Sequence, residues 1–510
     1  MKFVLPRLTA LFAALTFATG SPASLTAQNS AAPKLAPSTQ TALEELTGHM
    51  LLHSQAYEYD RQLSDTIGPR LTGSANYEKA VGWAIAEFTR LGLSNVHKEP
   101  WTIPATWEPE ITGTGRILTP HEQRLHLESE GWSPSTPEKG IRGPVFHLPS
   151  ENSTAQIRAN AEKIKGSIVL IDEDSRHSGP EDVPEGVVAD NDKLIADLGA
   201  LAILTTGTTQ NAVSVGGSVW DGHLLPLPTA NVGQEDALLL RRLLDHASDA
   251  APVTIEFSFK NRIRENVQVD NVVAEIPGRP ASDNGKPQEW LLIGAHLDSW
   301  HPGTGAEDDG TGVASVLAVA QAVMALHHPP ARTLRFALFG GEEEGLLGSL
   351  AYAKAHAAEL PNCDAVLVTD TGSEAPKGWL TFGRTESKQS LAPISPLLAG
   401  LGSEGINESG RFTFGVDDGS FLVRGVPSLL LWTGFDSYRS LHHKPSDTFD
   451  KVNERDLELG AATVGITAYA LADSPQPLAP HLSPTQVEDQ MKQLKIFPDF
   501  DDMRKRKMLF

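Results

Sequence analysis

The stretch WLLIGAHLDSWHPGTGAEDDG, residues 290–310, passes from an apolar run straight into a segment crowded with charge. A short apolar run bounded by turn residues reads as a strand buried on both faces. From His296 to Gly310 there are two histidines and four acidic residues, with small and turn-forming residues between them. An ordinary loop has no use for so much negative charge beside an imidazole. A bound cation would account for it, because carboxylates side by side repel one another unless positive charge lies between them.

Working outward, the rhythm from Asn271 onward is strand then helix. Candidate strands are Val272–Ile276, Trp290–Ala295, Leu334–Phe339, Ala365–Val368 and Ser428–Trp432. Candidate helices are Gly312–Leu326, Leu346–Leu360 and Arg455–Leu471. This alternation predicts an α/β sheet sandwiched by helices. Residues 41–110 are expected to be the N-terminal part of the same domain, with helical periodicity from Thr41 to Leu93. Residues 111–260 change texture to short β-like runs separated by Gly and Pro, with two short helices around Thr154–Ile164 and Asn191–Leu198, which predicts a β-rich insert. Residues 261–475 then complete the main domain.

The termini read differently. Lys2 and Arg7, the apolar run Leu8–Ala18 and the small residues that follow predict a signal peptide over 1–27. The run is shorter than the roughly 20 residues a membrane span needs, so no stable span is expected and the chain should be secreted or periplasmic. Residues 28–40 read as a linker and 476–510 as a polar C-terminal tail ending in a basic cluster. A net charge of −22 argues against nucleic acid as a partner. The single cysteine, Cys363, rules out an intramolecular disulfide and is expected to be a buried small hydrophobe.

Groups able to bind metal gather just after successive strands: His296 and Asp298, then Asp308, then Glu342, Glu343 and Glu344, then Asp370, then His442 and His443. In an open α/β sheet, sites form outside the carboxyl ends of the strands. That topology would bring these distant residues together. Imidazoles and carboxylates are usual zinc ligands, and the lack of a cysteine cluster speaks against a purely structural zinc.

The segments His296-Leu-Asp-Ser299, Gly305–Gly310, Glu342–Ser349, Asp370 and His443–Thr448 together resemble the di-zinc aminopeptidase family of bacterial leucyl aminopeptidases. Ile67–Ser74 and Gly92–Trp101 resemble its carboxypeptidase Q (plasma glutamate carboxypeptidase) subgroup. Lys163–Leu170 and Leu227–Asp236 resemble the protease-associated domain that this subgroup carries as an insert. The resemblance implies a zinc-exopeptidase (phosphorylase/hydrolase-like) fold and two zinc ions per chain. It implies metal ligation by His296, Asp308, Glu343, Asp370 and His443, with Asp308 bridging. His443 is preferred to His442 by its spacing from Asp447. Asp298 would orient His296, and Glu342 would be the general base. Short peptides would be the substrates, and a homodimer is implied only by likeness.

Other residues have smaller parts in this reading. Glu344 departs from the pattern and reads as solvent-facing or a weak substrate contact. Asp418–Phe421 could touch substrate, Trp300 and His301 could line the cleft, and Arg70 is expected to fix structure. Two further readings stay open: a non-catalytic receptor on the peptidase fold, and a glutaminyl-cyclase-like acyltransferase.

Overall fold

The computed structural model describes residues 35–148, 153–172, 183–207, 221–248, 250–280, 288–408 and 415–509. The expected signal peptide and most of the expected linker lie outside them. The strands are β1 (Ser94–Thr119), β2 (Gln123–Leu125), β3 (Leu127–Ser129), β4 (Ile141–Leu148), β5 (Ile168–Ile171), β6 (Ala202–Thr206) and β7 (Thr229–Val232). They continue with β8 (Thr254–Ile276), β9 (Trp290–His296), β10 (Thr333–Phe339), β11 (Cys363–Thr369), β12 (Pro376–Leu380) and β13 (Ser428–Thr433).

At the centre, β10, β9, β11 and β13 run parallel in that order. Antiparallel β12 closes one edge, and antiparallel β8 and β1 extend the other. The central strands alternate between two cores. Leu291, Ile293 and Ala295 of β9 enter the core shared with the helices Thr311–Met324 and Glu454–Asp473, while Trp290 and Leu292 enter the opposite one. Both faces are therefore covered, which is why β9 shows no polar alternation. Cys363 is buried at the start of β11. Among the described residues, no helix is long and apolar enough to cross a membrane.

The region expected as an insert is a second run of strands. Ile141–Pro144 of β4 pair with β8, and Val145–Leu148 pair in parallel with β5. Parallel β6 and β7 follow, and antiparallel β3 ends the row. Helices Thr154–Ala159 and Ala161–Ile164 lie where the first short helix is expected, the second runs from Glu185 to Asp197, earlier than expected, and a further helix, Gln234–Leu244, accompanies the strands. The expected limits at 111 and 260 fall inside the β1/β8 ribbon, which pairs from Ser94–Glu275 to Thr119–Thr254. Bulges around Pro109–Thr114 let the ribbon bend without ending, so both strands run unbroken through the expected limits.

Both expected unstructured stretches contain structure. Pro37 opens the helix Pro37–Leu52, so residues 37–40 of the expected linker are helical, with proline in the first turn where its missing N–H costs nothing. The expected tail forms helices Pro484–Leu494 and Phe497–Lys505, the first started by a capping box between Ser483 and Gln486. Val487, Met491, Phe500 and Met503 of this pair bury against the core that holds Phe421 and Leu422. Arg506 then reaches Asp190 of the insert at 2.8 Å. The signal was present in the sequence as apolar residues at helical spacing, diluted by many charges.

One ion pair ties the site-bearing layer to the ribbon. His356, just after the helix Leu347–Ala355, places Nε2 3.0 Å from Glu99 of β1. The hydrogen bond to Glu99 raises the His356 imidazole above its ordinary value. Glu99 is held below its ordinary value, the bonds to His356 and His97 outweighing burial. The His356 contribution is complete below the unfolded value of about 6.5 and fades as pH rises through the folded one. The Glu99 contribution is present above about 4.3 and fades as pH falls. His356→Gln should therefore lower Tm more at pH 6 than at pH 9; equal losses at the two pH values would show that the pair contributes no charge interaction.

Candidate metal centre

The parallel strands deliver their charged ends to one place. His296 is the last residue of β9, Glu342 and Glu343 follow β10 through Gly340 and Gly341, and Asp370 follows β11 directly. His443 lies beyond β13 and the short helix Asp436–Leu441. The structure brings together every residue expected at the site. His296 Nε2 lies 3.2 Å from Asp308 Oδ1 and 3.7 Å from Asp370 Oδ1. His443 Nε2 lies 3.0 Å from Glu343 Oε2 and 3.5 Å from Asp308 Oδ2. Asp308 thus offers one oxygen to each group. Tetrahedral zinc with bonds of about 2.0–2.2 Å sets its donor atoms roughly 3.3–3.6 Å apart, close to these separations.

The donor chemistry also fits a cation. His296 Nδ1 sits 3.1 Å from the main-chain oxygen of Asp298, which can only accept, so Nδ1 carries the hydrogen. The Nε2 lone pair then faces the oxygens of Asp308 and Asp370. Only a proton or a metal ion between them makes that arrangement attractive. Asp308 Oδ2 and Glu343 Oε1 are buried without a hydrogen-bond partner. Burial pushes the carboxyls of Glu342 and Glu343 well above their usual range, with neighbouring carboxylates adding to the shift. Burial opposes a charged imidazole at His296, but Glu342 and Asp370 outweigh it and hold the group well above its ordinary value. A pocket that pulls this strongly on positive charge suits divalent cations.

Several expectations change in detail. The Asp298 carboxylate is 3.7 Å from His296 Nδ1, farther than its own main-chain oxygen. It also accepts from the main-chain N–H groups of Glu342 and Glu343, each at 3.4 Å. Glu344 is not solvent-facing: it is fully buried, and burial together with Asp298 holds its carboxyl well above the usual range. The turn after Glu343 folds back onto Thr72 and Asp298, which the local sequence does not reveal. His442 stacks on His443 at 3.6 Å between ring centroids and reaches Asp308 Oδ2 at 3.7 Å, with its side chain 45% exposed.

Sequence reasoning missed the residues that hold the Asp308 segment. Asp447, used only as a spacing marker, accepts the N–H groups of Glu307 at 2.7 Å and Asp308 at 3.3 Å. Glu307 accepts from Ser373 N at 2.6 Å and from Ser373 Oγ at 2.7 Å, tying the segment to the end of β11. Tyr438 donates to Asp370 Oδ1 at 3.1 Å. Arg70 is a structural residue, as expected: it is fully buried and bonded to main-chain carbonyls. Trp300 packs edge-on against His443 and, on its other side, against Trp132 of the insert.

The pattern of peptidase family M28 matches residues 271–465, the span that holds all of these candidate ligands. The crystal structure of a peptidase M28 precursor from Shewanella amazonensis superposes with a TM-score of 0.74 at 30% identity, covering 87% of this chain and 99% of that one. The chain belongs to peptidase family M28. It is a metallopeptidase by that membership. Carboxypeptidase Q of Xenopus laevis is 28% identical over 432 residues, 84% of this chain and 88% of the relative. A zinc aminopeptidase from Bacillus subtilis shares the fold, with a TM-score of 0.64 at 20% identity over 85% of this chain and 99% of that one.

For this M28 peptidase the two adjacent histidines can be told apart. His443 approaches both Asp308 and Glu343, whereas His442 approaches Asp308 alone. His443→Gln should lower the metal content of the purified chain, measured by elemental analysis, while His442→Gln retains it. Equal losses would make the pair a joint ligand.

Proposed function

We propose that this chain is an exported zinc exopeptidase that hydrolyses dipeptides or other short peptides with two zinc ions per chain. The observation that carries the reading is the position of Asp308, with Oδ1 3.2 Å from His296 and Oδ2 3.5 Å from His443, two imidazoles that in turn approach Asp370 and Glu343. In this reading those residues hold the two ions. Bound there, the ions would supply Lewis acidity toward the scissile carbonyl and lower the pKa of a water.

The chain's own residues do the rest. Glu342 is the general base: a carboxylate oxygen takes a proton from the attacking water and passes it to the leaving amine. Burial raises its carboxyl well above the usual carboxylate range. Burial excludes bulk water from competing. Asp298 holds the segment that carries Glu342 and Glu343 by accepting their N–H groups. We read the insert, residues 111–260, as a protease-associated domain that walls the cleft. The contact of Trp132 with Trp300 supports that reading, since it joins the insert to the ring beside His443.

Glu342→Gln should keep both zinc ions and the wild-type KM while kcat on dipeptides falls by about 10²–10⁴-fold. Turnover near wild type in the zinc-loaded variant would remove Glu342 from the mechanism. A panel of dipeptides, N-blocked peptides and C-amidated peptides, assayed with and without added zinc, reads out which terminus is required. Hydrolysis of none of them by zinc-loaded protein would reject the exopeptidase reading.

A further inference from the structure

We propose that the turn Gly68–Ser74 positions both halves of the site, with Thr72 setting the segment of the proposed base and Arg70 setting the segment of Asp308. The proposal rests on the exopeptidase reading for its kinetic consequence and on geometry for the rest. The turn lies outside the span matched by the family pattern and between two helical elements, Gln62–Ile67 and Ala75–Leu91. Gly68 and Gly73 bracket it at φ of 85° and 76°, a region where side-chain-bearing residues are strained. Arg70 and Thr72, between them, are fully buried.

The Thr72 hydroxyl donates to Asp298 Oδ2 at 2.9 Å and accepts from the N–H of Gly341 at 2.9 Å. Asp298 in turn accepts from the N–H groups of Glu342 and Glu343. Three successive amides after β10 therefore converge on one hydroxyl–carboxylate pair. This convergence fixes the main chain from which the side chains of Glu342 and Glu343 leave. Without the hydroxyl, the Gly341 N–H is left buried and unpaired, and Asp298 is free to turn.

Arg70 works on the other half. Its Nε donates to Leu297 O at 2.9 Å, Nη1 to Thr304 O at 2.7 Å and Nη2 to Gly305 O at 2.9 Å. The main chain of Arg70 exchanges bonds with Ser299 in both directions. One planar guanidinium thus spans the residues just after His296 and those just before Asp308. A lysine has the charge but not the fork needed to hold several carbonyls at fixed angles.

The test compares Thr72→Val, Thr72→Ser and Arg70→Lys as full-length, zinc-loaded proteins. Thr72→Val, nearly isosteric, should keep its zinc and KM within twofold while kcat falls at least tenfold, and Thr72→Ser should restore kcat. Arg70→Lys should lose zinc to a competing chelator at least tenfold more readily than wild type. Thr72→Val with kcat within twofold of wild type, or a loss that Thr72→Ser does not restore, overturns the role of Thr72. Unchanged zinc affinity in Arg70→Lys overturns that of Arg70. If Thr72→Val does not fold, Thr72→Ala serves in its place with the same expected split. If wild-type protein hydrolyses no dipeptide, the exopeptidase reading fails, while the chelator competition still decides whether Arg70 positions the Asp308 segment.

Discussion

The carboxylate of Asp308 stands between two imidazoles, and that placement asks for segments from widely separated parts of the chain to meet within hydrogen-bond distance. A carboxylate so placed needs a main chain that cannot drift. Asp447 holds the two amides at Glu307 and Asp308, Glu307 grips Ser373, Asp309 accepts from the N–H of His296 at 3.3 Å, and Arg70 holds the preceding carbonyls. The partners of these braces come from a turn before β1, from the ends of β9 and β11, and from the loop after β13. These hydrogen bonds fix the main chain from which the candidate ligands project, as a preorganised site requires.

The parallel strands make this possible. Parallel neighbours end on the same side of the sheet, so the segments after β9, β10 and β11 leave the sheet side by side. Apolar side chains alternate above and below, locking the register against two cores. A slip by one residue would turn His296 toward a core. Burial of so many carboxylates is costly in isolation, and the large cores beneath the site are what hold the geometry against that cost.

How much of this the sequence disclosed depends on where each residue's partner sits. The gathering of His296, Asp308, Glu342, Glu343, Asp370, His442 and His443 was legible because they follow apolar runs or stand in dense charged motifs; the choice of ligands among them came from the family resemblance. The central strands were legible as those apolar runs. Glu344 was not: it is buried beside Asp298 and Thr72, which lie far from it in the chain, and nothing near it in sequence distinguishes it from an exposed acid. The expected tail hid its helices because Val487, Met491 and Phe500 are spaced among charges that face solvent. Asp447 and Ser373 look like ordinary loop residues until the segments they hold are seen beside them. Composition marked a change of texture between residues 111 and 260, but it could not show that β1 and β8 pass through both expected limits.

The β1/β8 ribbon limits how the two strand runs can move against each other. A hinge between insert and main sheet would have to break part of a ladder that runs from Ser94–Glu275 to Thr119–Thr254, and the second half of β4 carries the sheet onward from its edge. The ribbon is a beam, not a pivot. Trp132, from the strand run beyond the ribbon, and Trp300, beside His443, sit in one buried core, so the two regions share an interior as well as a ladder.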